Sequence, residues 1–229
     1  MRLRNIVVAM LALAATVAVA QNPQMEEKLM AIKQNMVKNK QQLAQYTWTQ
    51  TETIGIKGST KDTKVYQVRM VNGQQQKTEV ADEKAQSGGR QGGRMKQRIV
   101  EKKTDEYKEY GQQIGGLAKL YTTPDPDRLM QAKQSGNLSL VPGSGTISLV
   151  IKSFVQPGDQ VTFTINDQTK SPVSVEINTY LNDPKSKVMI SAQFADLPDG
   201  TNHVTTATIN GEQKQLVIQD TNSNYQKIM

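Results

Sequence analysis

The sequence contains no cysteine and a single histidine, His203. Without cysteine the chain cannot form a disulfide, use a thiolate nucleophile or build a cysteine metal site. A Ser-His-Asp triad would need His203, and a zinc site could take one histidine ligand at most. His203 follows the turn-forming residues 199–202, where a polar residue is ordinary. These absences predict no catalytic residue, no metal site and no cofactor.

Recognisable catalytic and nucleotide-binding motifs are also missing. The sequence has no calcium loop, phosphate loop or nucleophile elbow. Its acidic residues occur in small groups such as Asp125 with Asp127, and each group suits a helix start, a helix face or a turn. A hydrolase that uses two carboxylates is one alternative, because any two acids can form such a pair. We predict a protein that is not an enzyme.

Long apolar runs are absent after the first 20 residues. The chain begins with Arg2 and Arg4, continues through the apolar run 6–19 and reaches Ala18-Val19-Ala20 before Gln21. This order is typical of a secretory signal peptide, and the run is shorter than the roughly 20 residues of a membrane-spanning helix. We predict residues 1–20 to be a signal peptide cleaved near Ala20, and a periplasmic or secreted product that does not span a membrane. An uncleaved anchor is the alternative.

Aromatic residues make up 5% of the chain, so the core must consist mainly of Val, Ile, Leu and Met. The roughly 209 residues after cleavage suit one domain, predicted over residues 21–229. Methionine is common on surfaces that accept varied apolar partners. The internal methionines could therefore form a binding surface, and ordinary core packing explains them equally well. They are Met25, Met30, Met36, Met70, Met95, Met130 and Met189.

Positive charge is concentrated in one segment. The net charge is +7, and loss of Arg2 and Arg4 leaves +5. Residues 84–103 hold seven basic residues and one acid, a balance of +6, which leaves about −1 for the rest. We call residues 84–103 the basic segment; its glycine-rich part, at about 84–94, predicts a flexible loop.

The basic segment suits an anionic partner. Arginine forms strong charge-assisted bonds with phosphate groups, as on lipids or an anionic envelope polymer. The predicted contacts are Arg90, Arg94, Lys96 and Arg98. Nucleic acid is not predicted as a partner, because aromatic residues are not interleaved and export removes the protein from the cytoplasm. A plain connector is the alternative.

Hydrophobic periodicity predicts an α+β fold. Apolar steps of three and four residues predict helices at Met25–Leu43 and Met95–Leu120, the second kinked or ended early by Gly115-Gly116, and a short helix from Pro126 to before Gly136. Period-two segments predict three strands between Tyr46 and about Val80 and seven from Leu138 to Thr221. So many antiparallel strands should curl into a half-barrel whose concave face the helices cover. A flat α+β sandwich is the alternative.

The order of these elements resembles the LolA-type superfamily of periplasmic lipoprotein carriers and their lipid-binding relatives, in an uncharacterised exported branch. The resemblance rests on the opening strand Tyr-Thr-Trp-Thr-Gln-Thr at 46–51, the Gly-Gly-Arg loop, and the closing motifs at 197–202 and 222–225. It implies a half-barrel with helices as a lid, and a lipid or lipoprotein as partner.

Together these features predict non-enzymatic binding of a lipid or lipoprotein acyl chain in an apolar groove between sheet and helices. The predicted groove residues are Met25, Leu29, Met30, Met36, Trp48, Met70, Tyr107 and Tyr110. The alternative is a cell-envelope interaction protein that docks on an anionic polymer or a protein partner through the basic segment.

Overall fold

The computed structural model of the chain describes residues 23–71, 74–83, 94–122 and 126–228. Three α-helices and ten strands occupy these ranges. The helices are α1 (Pro23–Leu43), α2 (Arg94–Thr122) and α3 (Pro126–Gln134). The strands are β1 (Tyr46–Ile56), β2 (Ser59–Val71), β3 (Gln74–Glu83), β4 (Leu138–Pro142), β5 (Thr146–Lys152), β6 (Gln160–Asn166), β7 (Pro172–Tyr180), β8 (Lys187–Asp196), β9 (Asn202–Gly211) and β10 (Leu216–Lys227).

All ten strands form one antiparallel sheet in the order β3-β2-β1-β10-β9-β8-β7-β6-β5-β4. Neighbours in this order follow each other in sequence, except β1 and β10, which pair from opposite ends of the chain. The sheet is open, with β3 and β4 as its edges. A single open antiparallel sheet with N-terminal and central helices confirms the α+β fold class predicted from the sequence.

The helices cross the sheet because the chain must travel from one edge strand to the other. Strand β3 lies at one edge and β4 at the opposite edge, and α2 and α3 connect them. Ten strands about 4.8 Å apart span about 43 Å. The 29 residues of α2, at about 1.5 Å each, span a similar length. The connection therefore provides a cover for one face of the sheet.

Side chains alternate between the two faces of each strand. On β5 the side chains of Ile147, Leu149 and Ile151 are buried, while those between them are half-buried. On β1 the buried positions from Tyr46 onward alternate with half-buried threonines. We call the face that packs against the helices the covered face. The pattern explains why the opposite face is rich in threonine, since it meets water and still needs residues that favour strands.

Helix α2 and strand β10 both extend beyond their predicted ends. Helix α2 continues through Gly115-Gly116 to Thr122, because the buried side chains of Ile114, Leu117 and Ala118 pack on both sides of the glycines and offset their low helix propensity. Strand β10 continues past Thr221 to Lys227. It does so through an irregularity at Asn224, which has a φ of 55° and tolerates the left-handed region better than most residues.

Other predicted features fall partly or wholly outside the described residues. The predicted signal peptide, residues 1–20, lies outside the described residues, as does the predicted flexible loop at about 84–94 except for Arg94. Gly136, predicted to end the third helix, follows α3 with a φ of 70°.

Candidate functional site

The space between the covered face and the helices is filled by apolar side chains. The sheet supplies most of them, mainly isoleucine and valine, and this composition follows from the alternation along each strand. The buried sheet members are Leu149, Ile151, Val161, Phe163, Ile165, Val175, Ile177, Val188, Ile190, Ala192, Val204, Ala207, Ile209, Leu216 and Ile218. These residues form one continuous apolar layer from β5 to β10, which we call the apolar layer.

Helix α1 places few described side chains against the apolar layer. Ile32 and Met36 are buried and belong to the same cluster. The next position on this helix face, three residues after Met36, is the buried Asn39. The side chains of residues 23–29 and 33 are outside the described part. Within the described part, α1 thus contributes two apolar side chains and one amide to the interface.

Asn39 attaches α1 to the start of β9 by a pair of reciprocal hydrogen bonds. Its Nδ2 donates to the backbone carbonyl of Asn202 over 2.8 Å, and the backbone N–H of Asn202 donates to its Oδ1 over 2.6 Å. One turn earlier, Asn35 Nδ2 donates to the carbonyl of Thr169 at 3.1 Å and to Ser171 Oγ at 3.2 Å. In the described part of α1, the attachment therefore combines the apolar contact of Ile32 and Met36 with the directional bonds of Asn35 and Asn39.

Helix α2 packs closely against the end of β9. The Tyr110 ring lies directly over Gly211, where a Cβ atom would fall 2.5 Å from the tyrosine Oη and 2.6 Å from Cε1. Burial raises the pKa of Tyr110. Nearby, Lys214 Nζ lies 3.4 Å from Glu106 Oε2 and 5.6 Å from the centre of the Tyr107 ring. The absence of a side chain at Gly211 is what lets the helix approach the sheet.

The C-terminal end of α2 is fixed by a buried polar network. Tyr121 Oη donates to Asp159 Oδ2 over 2.6 Å and lies 2.6 Å from Thr179 Oγ1. Asp159 also accepts the backbone N–H groups of Phe154, Val155 and Gln156, at 2.6 to 2.9 Å. Burial and the hydrogen bond with Asp159 raise the pKa of Tyr121 well above its ordinary value, so the phenol stays protonated. This network holds the β5–β6 loop and α2 together.

A separate cavity of about 530 Å³ opens between the end of α3 and the β5–β6 loop. Its lining is mostly polar: Arg128, Gln131, Ala132, Ser135, Asn137, Ser153, Phe154, Val155, Gln156 and Pro157. Such a lining suits a hydrated surface better than an acyl chain, because burying polar groups without partners is costly. The apolar layer is therefore the better candidate for an apolar ligand.

A second cluster, built from aromatic rings, lies on β1, β9 and β10. Trp48 is 1% exposed and stacks on Tyr225 with ring centres 5.4 Å apart, while its Nε1 donates to Asn222 Oδ1. His203 lies against Tyr225 at 4.3 Å, and burial lowers the pKa of His203. These contacts indicate a packing role for the histidine.

Among the described residues, no group of three or more His, Cys, Asp or Glu side chains is arranged to hold a metal ion. In the same part of the chain, no helix combines the length and apolar character needed to cross a membrane.

No protein-family model matches this sequence, and no curated protein matches it. Among solved structures, the crystal structure of a LolA superfamily protein from Nitrosomonas europaea matches the chain. The chain is similar to that protein in structure. The match covers 86% of this chain and 93% of that one, with a TM-score of 0.37 and 10% sequence identity.

The structure divides the predicted groove residues among several places. Met36 and Tyr110 lie in the interior under the apolar layer, and Tyr107 is half-buried beside Lys214. Met30 is 61% exposed and so lies on the outer side of α1.

The remaining groove residues lie elsewhere. Trp48 is in the aromatic cluster, and Met70 is half-buried on β2, next to an edge strand. Met25 and Leu29 lie in α1, but their side chains are outside the described part. The structure thus brings together Met36 and Tyr110 of this set, around the apolar layer.

The predicted anion contacts fall at the start of α2. Arg94, Lys96 and Arg98 lie in its first two turns, and their side chains are outside the described part of the chain. Arg90 is outside it altogether.

Sequence reasoning missed the polar residues that hold the helices. Asn39 carried a usable signal: Ile32, Met36, Asn39 and Leu43 follow steps of four, three and four, so an amide occupies a position of the apolar stripe. Asp159 follows Pro157-Gly158, and its role depends on Tyr121, 38 residues earlier. No local sequence pattern predicts the contact between Asp159 and Tyr121.

Proposed function

We propose that this protein binds the apolar part of an amphiphile, such as a lipid or a lipoprotein acyl chain, between the apolar layer and its helices. The observation that carries the proposal is the small number of described α1 side chains that pack on the apolar layer. Its β5–β10 surface is continuous and aliphatic, and in the described part α1 contributes Ile32 and Met36 to its cover. An aliphatic ligand could insert between these two side chains and the apolar layer with little loss of buried apolar area.

The attachment of α1 supports this role. The described part of α1 is held by two apolar side chains and by the hydrogen bonds of Asn35 and Asn39, and such a contact separates from a sheet at lower cost than a broad aliphatic interface does. Helix α2, by contrast, is fixed by the close approach at Gly211 and by the buried Tyr121–Asp159 bond. We propose that α1 moves and α2 stays when the ligand enters.

Binding should be tested on the chain that begins at Gln21, first by native mass spectrometry for co-purified lipid and then by titration with a fluorescent fatty acid. The matched pair of variants is Met36→Gln and Met30→Gln, since Met36 is 7% exposed and Met30 is 61% exposed. Placing an unpaired amide against an acyl chain costs about 1–3 kcal/mol, or about five- to a hundredfold in affinity. We expect that loss for Met36→Gln and less than a twofold change for Met30→Gln.

Circular dichroism must show that both variants are folded before their affinities are compared. Saturable binding that fatty acid or phospholipid displaces supports the proposal. Absence of saturable binding by the folded parent protein, or equal loss in the two variants, contradicts it.

We propose that the role is binding and not catalysis. Support comes from His203, which is 9% exposed and packed on an aromatic ring. A catalytic mechanism in this protein would have to depend on carboxylates. The most buried carboxylate of the described residues, Asp159, already accepts four hydrogen bonds.

We also propose that the basic segment contacts the anionic head of the ligand or an anionic envelope surface. Support comes from its charge of +6 against about −1 for the rest of the chain after residue 20. The same segment would serve the alternative function, docking on an anionic polymer or a protein partner, if the apolar layer binds no ligand.

Residues 1–20 suit export, and we propose that the protein acts in the periplasm or outside the cell. N-terminal sequencing of the exported product should then begin at or near Gln21. An intact Met1 form in the membrane fraction would count against export with cleavage.

A further inference from the structure

One seam in the sheet joins the two ends of the chain. Strands β1 to β3 precede α2, strands β4 to β10 follow it, and the sheet connects the two groups through the pairing of β1 with β10. The ladder runs from Tyr46 opposite Lys227 to Ile56 opposite Leu216. We call this ladder the seam. Its stability decides whether the first three strands stay attached to the other seven as one sheet.

Two carboxyl side chains face each other across the middle of the seam. Glu52 and Asp220 are direct cross-strand partners. Side chains at such positions have Cβ atoms about 5 Å apart on the same face. Glu52 is 5% exposed, and with the described residues it forms no hydrogen bond and no ion pair within 4.0 Å. Asp220 Oδ1 is buried and has no hydrogen-bond partner among the described residues.

Among the residues whose side chains the structure describes, nearby cations do not neutralise this pair by direct contact. Lys64 Nζ on β2 lies 3.6 Å from Glu79 on β3, and Lys77 Nζ on β3 lies 5.7 Å from the centre of the Tyr66 ring. The charged and titratable groups around Glu52 and Asp220 in the described part are Asp62, Lys64 and Tyr66 on β2 and Lys77 and Glu79 on β3. Two like charges at a buried cross-strand position oppose strand pairing.

We propose that Glu52 and Asp220 form an electrostatically coupled carboxyl pair that makes the seam pH-sensitive, stable while at least one of the two is protonated and weakened when both ionise. Two carboxyls this close titrate as a unit, because the first charge makes the second ionisation harder. The inference concerns the sheet itself and does not depend on the proposed function.

The pKa values agree with this geometry. Burial, and next the charge of Asp220, raise the pKa of Glu52 to about 7, against the opposing effect of Lys77 and Lys64. Burial also raises the pKa of Asp220, against the opposing effects of Lys77 and of a hydrogen bond with the Gln50 side chain. A raised pKa in the folded state means that the folded protein holds more protons than the unfolded chain between about pH 4.5 and 7. The stabilisation is therefore complete below about pH 4.5 and is lost as the pH rises to about 7.

Hydrogen exchange resolved by strand tests this inference directly. We expect the protection factors of β1 and β10 amides, corrected for intrinsic exchange, to fall on the order of a hundredfold between pH 5 and pH 8, as a shift of this size in one carboxyl requires. The isosteric variant Glu52→Gln cannot ionise, so its seam protection should not change over this range. Asp220→Asn should reduce the change as well.

Glu176→Gln is the matched control, because Glu176 is an exposed glutamate on β7 and lies outside the seam. It should keep the pH response of the parent. Comparison of parent and variant at each pH also cancels the contribution of His203, whose lowered pKa acts in the opposite direction. A seam whose protection is independent of pH, a Glu52→Gln variant with the parental response, or an equal loss in β5 to β7 would each overturn the proposal.

Discussion

Asp159 and Glu52 are both buried carboxylates, and their surroundings lead to opposite energetic roles. Asp159 is 2% exposed and accepts hydrogen bonds from three backbone N–H groups and from Tyr121 Oη. Glu52 is 5% exposed and has no hydrogen bond with a described residue. A charge that is well supplied with donors stabilises the fold, and one without them weakens it once ionised. Burial alone does not decide which role a carboxylate has.

The role of Asp159 can be tested by substitution. Asp159→Ala leaves three N–H groups and the Tyr121 hydroxyl without their acceptor, so we expect a loss of about 3 kcal/mol or more in the free energy of unfolding. Asp183→Ala is the control: Asp183 Oδ1 accepts the backbone N–H of Lys185 in an exposed turn, and its removal should cost about 1 kcal/mol or less. Urea denaturation measures both. Similar losses in the two variants would show that the network is not a stabilising centre.

At the scale of residues, the sequence predicted the apolar positions better than the polar ones. Ile32 and Met36 were assigned to a buried helix stripe and are buried. Asn39 and Asp159 were not identified, because a buried polar residue is explained by a partner distant in sequence, Asn202 or Tyr121. Periodicity reports which face is inside; it does not report what a polar side chain meets there.

At the scale of elements, local chemistry predicted the strands and their turns. Glycine at 58, 136, 158 and 200 adopts positive φ in the connections between elements, where turns favour glycine. Helix propensity alone misjudged Gly115-Gly116, because packing of Ile114 and Leu117 offsets it. The sequence did not predict the close approach of α2 to the sheet at Gly211. A glycine followed by a polar residue is typical of an ordinary turn.

Gly211 sets the distance between α2 and β9, and this can be tested. In Gly211→Ala the new Cβ would lie 2.5 to 2.9 Å from atoms of the Tyr110 ring, which is rigid and cannot move aside without shifting the helix. We expect a loss of about 2 kcal/mol in the free energy of unfolding. Gly55→Ala is the control, because its Cβ would have no neighbour nearer than 3.9 Å.

A double-mutant cycle with Tyr110→Leu identifies the cause of that loss. If the clash with the ring is responsible, Gly211→Ala should cost much less in the Tyr110→Leu background than in the parent. Additive costs would mean that strain of the β9 backbone, and not the approach of α2, limits this position.

At the scale of the whole molecule, the distinctive feature is an open sheet in which the first strand pairs with the last. The order of elements suggested a long meander, and β4 to β10 form one. The pairing of β1 with β10 brings together Thr51 and Thr221, 170 residues apart, and no turn signal can specify such a contact. It arises because the helices must run from edge to edge, which leaves β1 beside the last strand. The candidate site between sheet and helices is a product of the same topology.

The charge distribution of the whole molecule predicts which segment binds anionic surfaces. The basic segment carries +6 and the rest of the chain after residue 20 about −1, so affinity for anionic surfaces should depend on this segment. Replacing Arg90, Arg94, Lys96 and Arg98 together by Gln should abolish retention on anionic liposomes at low salt. Retention of the parent should fall steeply with salt, because exposed charges more than about 10 Å apart are largely screened at 0.1 M.

The fold should tolerate this change. Arg94, Lys96 and Arg98 lie at the N-terminal end of α2, where positive side chains oppose the helix dipole, so neutral glutamine should not weaken the helix. The charge-matched control replaces four exposed lysines elsewhere, Lys38, Lys40, Lys57 and Lys61, by Gln. It removes the same total charge and should retain most of the binding. If the control loses as much retention as the first variant, net charge and not the basic segment governs the interaction; if the first variant binds as the parent does, the segment is a connector.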